Sequence, residues 1–445
     1  MRSNCFGIWL FGLGLATMGW FRLGCSVRPD KAGSRARAAE PAAAANVATN
    51  RPVLQGTMQA DASGEVVVTA LPNAACRVYG QGKSASDGLA VYSDEAGDVS
   101  FQASPSTTDV VGALQLDCVD ERGTSAKYQV QLTTTTSPAK HSPKGTYRPG
   151  LEGDPNALTD AQLVSRGFPP RPGAGSSPTA CEQWLRLVRQ PATRVTPRLI
   201  PTQRRNDVNT DIWAGYSTTS TGTYSQVSGR WTVPTTAGEA QRTDYSSMWV
   251  GLNTNSTGLW QAGSEHEVST SKVIWRDPRR PSLTISLSNT YAFYELLPAG
   301  ATQLTAPTVI PGQQLYVSLW IGDSSGTVNI SGGSAWYYIS NVTTGLFAQG
   351  SVPTAGTNTN YVSAIWIAER PKTHAVEPPY NHLANFGTLN IDQAYAGAGS
   401  GLLPHSSLAS VPIAMVEPST GHLLAQAYAD SSKSDALQIV WRNFY

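Results

Sequence analysis

The chain has 445 residues and a formal net charge of +1, and Asp, Glu, Lys and Arg make up only 14% of it, against roughly a quarter in an average soluble protein. That length exceeds what one hydrophobic core normally supports and indicates two or three domains. Near-zero charge without a long basic run argues against a nucleic-acid partner.

The first 25 residues hold Arg2, an apolar run from Phe6 to Phe21, and then Leu23, Gly24 and Cys25. This pattern resembles a bacterial export signal ending in a lipoprotein-type site, although Arg22 stands where such sites usually carry Leu. An extracytoplasmic location follows, secreted or anchored at the cell envelope, with membrane contact only through this segment. Residues 26–55 are rich in Ala and Arg, lack periodicity and read as a flexible linker.

Between 56 and 137, short alternating runs such as EVVVTAL, CRVYG and ALQLDCV are separated by turn residues. They predict a small immunoglobulin-like β domain. Cys5 and Cys25 belong to the signal region, which leaves Cys76 and Cys118 as the expected disulfide bridging that domain and Cys181 as the odd thiol. Cys181 opens CEQWLRLVRQ, where Trp184, Leu185, Leu187 and Val188 read as packing residues, so a nucleophilic role is weakly supported.

Residues 138–208 form a basic, Pro-rich segment with two helical patches, one capped by Thr159 or Asp160 and the other by Thr179. Eleven cations lie between 140 and 206, two Lys and nine Arg, ahead of a more acidic remainder. Such a segment can lie across an acidic domain at neutral pH and release when carboxylates protonate, as a pH-triggered propeptide would. A solvated linker fits the composition equally well. Cleavage is expected between about Arg198 and Asp211.

From 209 to 445 the text is β throughout, dominated by Trp, Tyr, Val and Thr, and predicts a concanavalin-like antiparallel β-sandwich of two large sheets. After residue 208 only Lys272, Lys372 and Lys433 supply ammonium groups. A surface with few cations suits acid, where protonated carboxylates would leave surplus positive charges to repel one another. The string GDSSG, Gly322 to Gly326, matches a nucleophile-elbow pattern, but its strand neighbours make it a hairpin turn. His374 and His382 flank a Pro-rich stretch, and neither HExxH nor a CxxC pair occurs, so neither metal nor cofactor is expected.

Strand alternation puts Gln261, Gly263, Glu265 and Glu267 on one face. Paired Glu265 and Glu267 would suit acid and base work on a glycosidic bond, or two glutamates facing solvent. Gly263 leaves room beside Gln261 for a ligand to approach. In YAFYELLP, Tyr291, Phe293 and Glu295 share a face, which sets a carboxylate beside two rings. Partial desolvation there raises a carboxyl pKa and favours proton transfer, while a rim glutamate remains the plain alternative.

The ordered strings WAGY, YSQVSGRWTVP, WVGLN, LWQAGSE, FYELLP, PGQQLYVSLWIGD, IWIAERP and ANFGTLNI resemble the glutamic peptidase, or eqolisin, family over nearly all of 209–445. The resemblance implies a sandwich of two seven-stranded sheets with a catalytic Gln and Glu on its concave face, falling here on Gln261 and Glu295. Trp213 and Trp249 match aromatic positions that line the family's cleft. Asn253 stands where the family commonly has Asp, and Phe293 and Leu296 where it often has Trp, which implies an altered pH optimum and altered side-chain preferences. The implied protein is an exported, monomeric acid endopeptidase made as a zymogen and acting on proteins or peptides. A carbohydrate-active or carbohydrate-binding sandwich using Glu265 and Glu267, and an inactive peptide-binding homologue, stay open beside it.

Overall fold

The computed structural model describes residues 54–60, 65–80, 88–93, 97–105, 112–120, 122–134, 145–202, 212–219, 222–239, 242–254, 258–273, 283–355, 360–371, 381–397 and 401–444. The signal-like segment, most of the linker, His374 and most of the expected cleavage region lie outside them. The protein is mostly β, and its strands join into one mixed hydrogen-bonded network.

The N-terminal strands are β1 (Leu54–Ala60), β2 (Glu65–Thr69), β3 (Ala74–Gly80), β4 (Leu89–Tyr92), β5 (Asp98–Pro105), β6 (Gly112–Asp120) and β7 (Ser125–Thr134). β4, β3, β6, β7 and β1 pair in that order, with β1 parallel to β7, while β2 pairs with β5. Val78, Leu89, Val91, Phe101, Leu114 and Leu116 fill the core between them. Cys76 and Cys118 do form a disulfide. They are directly opposed on neighbouring β3 and β6, so the bond cross-links one sheet rather than bridging two.

Next come β8 (Gly145–Arg148), α1 (Asp160–Ser165), α2 (Pro178–Arg189), β9 (Ala192–Val195) and β10 (Leu199–Pro201). Thr159 caps α1 through a reciprocal capping box with Gln162. The cap of α2 is Ser177, not Thr179, because Pro178 fixes the first helical position and Ser177 Oγ accepts from Ala180 N.

The remaining strands are β11 (Trp213–Thr218), β12 (Gln226–Thr232), β13 (Thr243–Asn253), β14 (Leu259–Val273), β15 (Leu283–Leu296), β16 (Thr302–Leu304), β17 (Gln314–Gly322), β18 (Ser334–Asn341) and β19 (Leu346–Pro353). They continue with β20 (Ser363–Glu369), β21 (His382–Leu383), β22 (Thr388–Gly397), β23 (Leu403–Pro404), β24 (Ser410–Val416), β25 (Leu423–Ala429) and β26 (Leu437–Trp441). One row of neighbours runs β24, β11, β20, β13, β14, β15, β16, β10. The other runs β24, β25, β26, β22, β12, β17, β18, β19, β9, β8. Met248, Val250, Trp260, Ala262 and Trp366 of the first row share a core with Val227, Trp231, Val317, Leu319 and Ile339 of the second. β24 belongs to both rows, pairing first with β11 and then with β25.

Residues 145–201 are built into this framework. β9 extends the second row and β10 extends the first. Val164 of α1 packs with Trp320, Tyr338 and Phe347 on the outward face of the second row. Arg148 is buried, donates to the Gly167 carbonyl at 2.5 Å, and stacks 4.1 Å from the Phe168 ring and 4.6 Å from Phe347. Arg194 donates to the Gln349 carbonyl, Arg171 to the Leu158 carbonyl and Arg198 to Asn73 Oδ1, while Arg186 pairs with Glu182 inside α2. Gln183 Nε2 of α2 also donates to Asp435 Oδ2, just before β26, at 3.0 Å, so a carboxylate of the C-terminal framework meets this segment beside the carbonyl and amide contacts.

Candidate active site

The candidate site lies on the face of the first row that points away from the shared core. Side-chain alternation sends Trp260, Ala262 and Ser264 inward and Gln261, Gly263, Glu265 and Glu267 outward. On β15 the outward residues are Leu287, Asn289, Tyr291, Phe293 and Glu295, and the register sets Gln261 directly opposite Glu295. Gln261 Nε2 donates to Glu295 Oε2 at 2.5 Å, and both side chains are fully buried. Gln261 Oε1 is buried with no hydrogen-bond partner. An amide nitrogen carries two hydrogens, so Gln261 keeps one donor and one acceptor beside the carboxylate.

An apolar cluster surrounds the pair: Ile212, Trp213, Trp249, Leu259, Tyr291 and Phe293 belong to it. Trp213 and Trp249 meet edge to face with centroids 5.3 Å apart. Both indoles are held by Glu369, a fully buried carboxylate that sequence reasoning does not single out. Trp249 Nε1 donates to it at 2.7 Å, Trp213 Nε1 at 3.1 Å and Ser247 Oγ at 3.2 Å. A signal exists in the sequence, since Ile365, Ile367 and Glu369 share a strand face as Tyr291, Phe293 and Glu295 do.

Two expectations change. Gly263 does not open a path for a ligand: a Cβ there would stand 1.9 Å from the Met248 carbonyl oxygen and 2.7 Å from Trp249 Cβ. The glycine answers the close approach of β13. Leu296 faces the shared core, so its difference from Trp does not touch the cleft, whereas Phe293 lies on the site face. Asn253 sits at the end of β13, opposite Leu259 and one diagonal step from Gln261.

Glu265 and Glu267 share the site face further along β14 and are buried; Tyr245 Oη donates to Glu267 at 3.4 Å. Beneath them His266 points inward between Ser264 Oγ at 3.2 Å and Thr290 Oγ1 at 3.3 Å, and burial pushes its pKa down to about 3. Ser325 of GDSSG lies in a turn, its hydroxyl and amide both bonded to Asp323 Oδ1. Among the described residues, no group of three or more His, Cys, Asp or Glu is placed to hold a metal ion.

A family profile described as the Peptidase A4 family matches residues 211–439. The chain belongs to this family, the glutamic peptidases or eqolisins. The matched span begins just before β11 and ends in β26, so it takes in both rows except β8, β9 and β10, and every outward residue of β14 and β15 named above. Among solved structures, scytalido-glutamic peptidase with a transition state analog inhibitor aligns with 52% of this chain and 98% of its own at 13% identity and a TM-score of 0.39. SCP-B, a member of the eqolisin family in a complex with the tripeptide Ala-Ile-His, aligns over the same shares at 13% identity and a TM-score of 0.37. No curated protein matches the chain significantly.

Proposed function

We propose that this member of the Peptidase A4 family is an exported, acid-acting endopeptidase whose catalytic pair is Gln261 and Glu295. The observation that carries this reading is the buried 2.5 Å contact between the two side chains on directly opposed strand residues. A water bonded to Gln261 Oε1 and the Glu295 carboxylate gives its proton to Glu295 as its oxygen attacks the peptide carbonyl. The second hydrogen on Gln261 Nε2 goes to the oxyanion of the tetrahedral intermediate. Glu295 then returns the proton to the leaving nitrogen as the C–N bond breaks. Using an amide in place of a second carboxylate avoids the cost of two like charges in contact.

Trp213, Trp249 and Phe293 supply the apolar walls that hold an extended peptide, with Glu369 fixing the two indoles. The same reading takes residues 209–445 as a concanavalin-like sandwich and 56–137 as an immunoglobulin-like domain. It takes the chain as a monomeric zymogen cut between Arg198 and Asp211 and either released or held through Cys25.

Digestion of denatured protein at about pH 3–5 tests the pair. Glu295→Gln and Gln261→Ala should each lose roughly 10²-fold or more in kcat/KM, whereas Glu265→Gln should still cleave. Undiminished proteolysis by Glu295→Gln would refute the assignment.

A further inference from the structure

The N-terminal domain does not hang from the peptidase region on a loose tether. β5 pairs antiparallel with the first part of β15, Ser286 against Ser104 and Leu287 against Ala103, so one sheet of that domain continues the catalytic row. Leu287, on the site face of β15, is buried in the same cluster as Leu89 and Val91 of β4. Two residues nearer the catalytic pair, Asn289 Nδ2 donates to the Ala90 carbonyl at 3.0 Å. β4 therefore stacks over the site face at Asn289. A second tie to the domain runs from Arg198 Nη1, just before β10, to Asn73 Oδ1 at 3.1 Å.

We propose that β4 is the end wall of the substrate groove, making the N-terminal domain part of the binding site. This rests on the peptidase reading above. Asn289 lies six residues along β15 from Glu295, about 20 Å at strand rise. An extended peptide running from the scissile bond toward Glu265 and Glu267 meets the wall after about six residues. Beyond that the substrate must turn out of the groove, so the arm toward β4 has a fixed length.

The experiment uses full-length protein. Wild type is first assayed on a peptide series lengthened one residue at a time on each side of one scissile bond. Glu295→Gln, which should bind without cleaving, is then irradiated with the same peptides carrying benzophenone at successive positions, and the adducts are mapped by mass spectrometry. On one side only, kcat/KM should stop rising after about six residues, and benzophenone near that position should label residues 88–93. Probes within three residues of the scissile bond should label the peptidase region. Cleavage by wild type with every adduct between 212 and 444 would overturn the wall alone. No cleavage of any peptide by wild type, assayed both intact and after a cut between Arg198 and Asp211 checked by N-terminal sequencing, would overturn the peptidase reading and the wall with it.

Discussion

His266 sets a limit that a neighbouring carboxylate offsets in the opposite direction. Its folded pKa, about 3, lies below the roughly 6.5 of an exposed histidine, so between those values the unfolded chain binds the extra proton. Stability therefore falls as pH drops through that window, by up to about 1.4 kcal/mol per pH unit, and stops falling below the folded value. Asp244 behaves oppositely: burial raises its pKa despite hydrogen bonds from Glu239 N and Arg242, so protonation relieves a cost as pH falls. His266→Gln should lose stability less steeply from about pH 6.5 to 3 than wild type does. Urea unfolding at several pH values measures the slopes, and parallel slopes would contradict this account.

At the scale of elements, β13, β14 and β15 position the site through register and close approach. Gly263→Ala should destabilise the fold by about 1–3 kcal/mol or more, because the added methyl meets the Met248 carbonyl and Trp249. A thermal melt of that variant matching wild type would contradict it. Alternation is enough to place Gln261 and Glu295 on one side of their strands from sequence alone, because a period of two is a local property. That they oppose each other depends on the register between β14 and β15, which the family resemblance supplies and a single strand does not encode. Gly263 misleads for the same reason: its neighbour is a strand beginning twenty residues earlier in the chain, at Thr243. Leu296 shows the converse, since alternation from Glu295 already turns it inward. Glu369 sits within a quoted motif and still escapes notice, because a buried acid with three donors is visible only once Trp213, Ser247 and Trp249 meet around it.

For the whole molecule, the arrangement of residues 145–201 decides what processing can accomplish. Backbone ladders to β16 and β19 and apolar packing against Phe347 hold this segment and do not weaken in acid, whereas the bond from Gln183 Nε2 to the Asp435 carboxylate is one that protonation weakens. After cleavage between Arg198 and Asp211, a fragment carrying residues 145–198 should co-elute with the peptidase region on size exclusion at pH 4 and separate only in denaturant. Release of that fragment by acid alone would show that charge governs the contact after all.

A peptidase is always surrounded by other copies of itself. With β24 shared between the rows on one flank and β9 and β10 added on the other, most of its strands are already bonded along both sides. Strands paired on both edges resist being drawn out straight into a neighbour's groove, so any mutual digestion should fall on the connecting loops.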